Sequence, residues 1–255
     1  MIVLKSAREL EEMGRVNRTV ANILARVRQA VKPGATTGDL EDIAQEEVAR
    51  RGVVAAFQGV KNPQGRPYPC CLCTSVNDEV VHGIPSRDRV LADGDLLSVD
   101  CGVLERGFYG DAAFSVVVGR ATPRGAALIR AAEDALAAGI EEARVGRRVG
   151  DVSAAIQSVV EGAGFTVVRE FVGHGIGRSL HEEPQVPNYG KAGTGARLRG
   201  GMVLAIEPMI NDGATGVVVD ADGWTARTRD GSLAAHAEHT VAVTEQGPVI
   251  LSRPD

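Results

Sequence analysis

Apolar residues recur at spacings of three and four near the start of the chain, at Leu10, Met13, Val16, Val20, Ile23, Leu24, Val27 and Val31. That period predicts an amphipathic helix with one buried stripe. Ser6 and Glu9 form a capping box ahead of it, and Pro33-Gly34 stops it. A second helix is expected from about Gly38 to Arg51, with Leu40, Ile43, Ala44 and Val48 inward and Gly52 closing it. The pair then recurs. Thr122-Pro123 supplies a cap and a first-turn proline for an Ala-rich helix to about Arg144. Gly146 interrupts, Gly150-Asp151 restarts, and a shorter helix carrying Val152, Ile156, Val159 and Val160 ends at Gly164. Gly34, Gly38, Asp39 and Gly52 map onto Gly146, Gly150, Asp151 and Gly164 at one constant offset.

Each half closes with segments of period two, the signature of strands. LLSVDCGV and DAAFSVVVG are joined by LERGFYG, and MVLAIEPMI and AEHTVAVTE by a longer Gly- and Asp-rich excursion. Helix, helix and strands twice over predict a duplicated α/β (α+β) architecture with antiparallel pairing. A single domain spanning 1–255 is expected, with halves of about 1–120 and 121–255 and no N-terminal extension. The halves should share one sheet, because neither has enough strands to stand alone.

Alternation also sorts the strand faces. Leu97, Val99, Cys101 and Val103 make an apolar face and leave Asp100 on the other; Asp111 shares its face with Ala113, Ser115 and Val117. A hairpin centred on Glu105-Arg106 would set Asp100 directly opposite Asp111. Glu207 and Glu238 stand likewise within strands built for burial. Like charges facing across a hairpin destabilise it, and an unpaired buried carboxylate costs several kcal/mol. Few basic residues lie nearby to neutralise these four acids, so cations are the remedy, and two divalent ions match four negative charges. A pair of ions would generate a bridging hydroxide and clamp a carbonyl oxygen, which is hydrolase chemistry.

Histidine is used sparingly. Of five in the chain, His82 opens HGIPSRD, while His174 and His181 fall in HGIGRSLHEEP. Flanking glycines let such a loop approach a metal cluster closely, which makes His174 a ligand candidate. His82 and His181 could move protons beside the metals. His236 and His239 are read as packing or solvent-exposed residues, and His239 alternates away from Glu238. One imidazole among carboxylates favours Mn, Fe or Co, with Zn left open.

Composition narrows the rest. A hydrophobic fraction of 44% can fill a core, and a net charge of −5 gives no electrostatic case for nucleic acid or a membrane surface. No apolar run approaches the ~18–20 residues of a membrane span, and the N-terminus turns charged too soon for a signal peptide, so the cytoplasm is the default. Cys70, Cys71, Cys73 and Cys101 read as reduced small side chains, because CCxC lacks the usual zinc-site spacing.

VNDEVVHGIP, SVDCG with GFYGDAAFSV, FVGHGIGRSLHEEP, GMVLAIEPM and HAEHTV together resemble the motifs of type I methionine aminopeptidases, over nearly the whole chain. The resemblance implies a pita-bread fold, a duplicated α/β domain whose curved antiparallel sheet cradles two divalent metals. It implies Asp100, Asp111, His174, Glu207 and Glu238 as ligands, with Asp111 and Glu238 bridging the ions, Asp100 on one, and His174 with Glu207 on the other. Glu207 would also handle the proton of the attacking water, and His82 and His181 would contact the peptide around the scissile bond. Tyr68, Cys73, Leu180 and Trp224 fall at positions of the methionine pocket. GVKNPQGRPYP departs from the usual pattern. The implied activity is removal of the initiator methionine from nascent proteins by a metal-bound hydroxide. Their N-terminal peptides would be the substrates, with room for a transient ribosome contact and a monomer as the default state. The rival readings are an Xaa-Pro aminopeptidase or prolidase of the same fold, and a non-catalytic peptide-binding module.

Overall fold

The computed structural model describes residues 1–254. Four helices form where the apolar stripes lie: α1 (Ala7–Ala30), α2 (Thr37–Arg51), α3 (Pro123–Glu142) and α4 (Val149–Gly162). Ser6 and Glu9 close the expected capping box on α1. Thr36 caps α2, and Gly52 ends it in the left-handed region. The two pairs match in detail. Asp39 Oδ2 accepts from Thr36 N and Asp151 Oδ2 from Arg148 N, both at 2.8 Å, and each pair is fastened by one isolated antiparallel bridge, Thr36 to Val90 and Arg148 to Arg197. α3 stops two residues before the expected Arg144.

Strands from both halves join one curled, nine-stranded antiparallel sheet. At its centre the Leu96–Glu105 strand pairs with Phe108–Val117, which pairs with Glu238–Thr244, which pairs with Val203–Ile206. The hairpin register differs from expectation. The turn falls at Arg106-Gly107, with φ of 51° and 80°, so Asp100 faces Ala113 and Asp111 faces Gly102 rather than each other. Positive φ at both central residues is the geometry that matches the twist of a two-residue hairpin. Because the register moves by an even number of positions, both acids keep their shared face.

The expected MVLAIEPMI strand breaks into Val203–Ile206 and Met209–Asn211. Pro208 has no N–H to give a ladder, and Glu207 stands at that break. One face of the sheet is covered by helices. Val16, Val20, Ile23 and Val27 of α1 pack with Leu97, Val99, Cys101 and Val103 in one core. Leu128, Ala132 and Ala135 of α3 pack with Ile156 of α4 and Leu204, Ile206 and Val241 in another. The acids are left on the opposite face. All four cysteines are free thiols, three of them buried. No helix among the described residues is long and apolar enough to cross a membrane.

Candidate metal centre

Three neighbouring strands bring the acids abreast. Ala113 pairs with Asp100 on one side and with Glu238 on the other, so a single methyl separates two carboxylates. Asp111 lies diagonally beside them, its backbone pinned by Asn17 Oδ1, which accepts from its N–H, and by Thr240 Oγ1, which donates to its carbonyl at 2.8 Å. The strand carrying His174 pairs with Val203–Ile206, His174 against Ala205, which draws the imidazole toward Glu207. Ligand atoms of Asp111, His174 and Glu238 all lie within 4.8 Å of one another. His174 Nε2 is 3.4 Å from Glu207 Oε1.

Electrostatics in this cluster are unfavourable without a cation. Burial pushes the Asp100 carboxyl up to about 7. Burial, then the Glu238 and Asp100 charges, push Asp111 well above the usual range. Glu207 and Glu238 are raised in the same way, by burial first and then by neighbouring acids. No lysine or arginine contributes to any of these shifts. Asp100 Oδ1, Asp111 Oδ1 and Glu238 Oε1 are buried without a hydrogen-bond partner. Oxygens left orphaned in this way fit hard divalent cations, which would satisfy them and remove the repulsion.

The histidines divide by environment. His174 Nδ1 lies 2.9 Å from Gly175 O; with the proton there, Nε2 keeps its lone pair toward the acids, as a metal ligand needs. Burial, then His181, lowers its pKa to about 4, so it stays neutral. His82 is likewise lowered to about 4, by burial and then by His181. It adopts φ 62°, a strained conformation for a non-glycine residue of the kind that gathers at functional sites. His181 is exposed at the rim, its ring 4.4 Å from that of His174. Tyr68, Cys73, Leu180 and Trp224 line the same cavity of about 170 Å³ as the acids and these three histidines. Tyr68 meets Trp224 edge-on at 5.1 Å, and Trp224 meets His82 at 6.1 Å.

Sequence reasoning missed several wall residues, among them Phe57, Val60, Phe171, Met209 and His236. His236 corrects an expectation: it neither faces solvent nor merely packs, but lines the cavity at 2% exposure. Alternation held the signal, since a residue two before Glu238 shares its face. His239 does point elsewhere, its Nδ1 bonded to Ser252 Oγ at 2.8 Å.

Comparison with known proteins agrees with this geometry. The model of metallopeptidase family M24 matches residues 11–245. A methionine aminopeptidase from Aquifex aeolicus is 47% identical over 254 residues, covering 98% of each chain. The crystal structure of a methionine aminopeptidase from Thermotoga maritima superposes with a TM-score of 0.95 at 47% identity, covering 99% of this chain and 100% of that one. A prolidase from Pyrococcus horikoshii shares the pita-bread fold at a TM-score of 0.75 but only 19% identity, covering 100% of this chain and 65% of that one. With buried carboxylates from both halves gathered on one sheet face, and the family model running through every one of them, the chain belongs to metallopeptidase family M24.

Proposed function

We propose that this chain is a methionine aminopeptidase, a metal-dependent exopeptidase that removes the initiator methionine from nascent proteins. The observation that carries the reading is the meeting of Asp100, Asp111, His174, Glu207 and Glu238 in one small cavity whose remaining wall is largely apolar. These five would hold two divalent ions. Mn, Fe or Co suit a donor set of carboxylates and one imidazole better than a thiolate site would. When bound, such ions supply Lewis acidity toward a peptide carbonyl and lower the pKa of water.

The chain's own groups do the rest. Tyr68, Cys73, Leu180 and Trp224 enclose an unbranched thioether side chain, which places the first peptide bond beside the acids. Glu207 takes the proton of the attacking water on a carboxylate oxygen and returns it to the departing amine nitrogen. His82 and His181 contact the peptide around the scissile bond, and ring N–H groups there stabilise the negative charge that develops on the carbonyl oxygen. One catalytic domain of two related halves, about 1–120 and 121–255, belongs to the same proposal. So do cytoplasmic residence, a monomeric state and a transient contact with the ribosome.

Release of free methionine from Met-Ala-Ser tests the reading. Activity should vanish after exhaustive chelation and return with Mn²⁺. Full activity in the metal-free protein, or preferential cleavage of an Xaa-Pro peptide, would overturn it.

A further inference from the structure

Beyond the five proposed ligands and the lining residues given roles above, His236 also faces the cavity, and from a fixed position. The backbone of His236 is held from both sides by one hydroxyl: its N–H donates to Ser115 Oγ at 3.0 Å, and its carbonyl accepts from the same atom at 2.7 Å. Ser115 in turn sits 2.7 Å from Ser98 Oγ on the next strand. The imidazole is therefore anchored at its root to the two strands that carry Asp100 and Asp111. Its Nε2 is buried without a hydrogen-bond partner, an arrangement rare enough in folded proteins to need a reason. The charged atom facing it is Glu207 Oε2, at 3.7 Å. The other carboxylate oxygen of Glu207 faces His174 Nε2 at 3.4 Å. That nitrogen has no proton to give when His174 donates through Nδ1 to Gly175 O. Glu207 thus stands between two imidazoles, of which one can serve as a ligand and the other is free to act as a donor.

We infer that His236 is a positioning residue for Glu207: an Nε2–H on His236 holds one carboxylate oxygen, fixing how Glu207 presents the other to a bound ion. The inference rests on the assignment of Glu207 as a ligand in the function proposed above. It requires the 3.7 Å separation to close by about half an ångström or a little more to become a hydrogen bond. A partner of this kind orients a metal-binding carboxylate, and losing one typically costs 10- to 100-fold in metal affinity or activity.

Three variants separate a donor from a filler. His236→Gln keeps an N–H at similar reach, whereas His236→Met and His236→Leu keep bulk without a donor. Calorimetric titration of the metal-free proteins with Mn²⁺ reads the site whatever the substrate is. Hydrolysis of Met-Ala-Ser by the loaded enzymes then separates kcat from KM. Affinity for Mn²⁺ should fall roughly 10- to 100-fold in the Met and Leu variants, and kcat should fall with KM little changed. His236→Gln should recover most of both. Wild-type Mn²⁺ affinity in whichever donor-less variant folds would overturn the inference, as would a folded Gln variant as impaired as its Met and Leu counterparts. Normal Mn²⁺ binding by wild type without methionine release would instead count against the proposed function and leave the His236 comparison standing.

Discussion

A side chain as small as hydrogen explains the repeated histidine phrase. A Cβ on Gly83 would run into Thr74 O, and one on Gly175 into Glu183 O. Each glycine therefore lets its histidine's backbone lie directly against a neighbouring segment. Gly175→Ala should destabilise the protein by about 1–3 kcal/mol, measured by urea unfolding of the metal-free form. An unchanged midpoint would show that the backbone there gives way freely. At this scale the sequence was highly legible. Asp100, Asp111, His174, Glu207 and Glu238 stood out because carboxylates in apolar strands and a glycine-flanked histidine have few structural explanations. His236 did not stand out, since it lacks glycine neighbours and an imidazole often packs in a core.

Elements decide the shape of the cavity. The 59–69 segment, which departs from the family pattern although Tyr68 within it was placed, folds back on itself through a bridge between Lys61 and Pro67. Asn62 organises it: its Oδ1 accepts from Gln64 N and Arg66 N, and its Nδ2 donates to Gly223 O at 2.8 Å. Arg66 Nη1 donates to Ala221 O at 2.8 Å. Two cross-links thus clamp the turn that carries Trp224 against the segment that contains Tyr68. Asn62→Ala should loosen that wall and raise KM for Met-Ala-Ser several-fold, with a smaller change in kcat, because binding of the side chain is lost rather than chemistry. Equal loss in both parameters would refute a role confined to the wall. Helix caps and apolar stripes were readable because they are local. The Asn62 clamp and the Arg106-Gly107 turn were not. One depends on contacts between distant segments, and the other on a one-residue choice among Glu105, Arg106 and Gly107 that composition leaves open.

Over the whole molecule the buried charges set a dependence on pH. A carboxyl raised in the folded state, as Asp100, Asp111, Glu207 and Glu238 are, contributes stability that is present below its unfolded pKa and is lost as pH climbs through the folded value. Buried His82, His174 and His236 are lowered to about 4, 4 and 3 by burial first, so they act oppositely, but only below about 6.5. The cysteines are raised and begin to act only above about 8.5. Between pH 7 and 8.5, therefore, the melting temperature of chelated protein should fall as pH rises, and Mn²⁺ should flatten the slope. A flat profile without metal would mean that the acids find other neutralising partners.

Asp100 and Asp111 come from the first half of the chain, and His174, Glu207 and Glu238 from the second. An ion bound among them would behave as a rivet through a seam, drawing on both halves at once. The stabilisation it lends, about 2.7 kcal/mol at a hundred times the dissociation constant, would count directly toward holding together the strands that carry these residues. Starving the protein of metal would then do more than silence it: the pairing of Phe108–Val117 with Glu238–Thr244 should be the first to open under amide exchange.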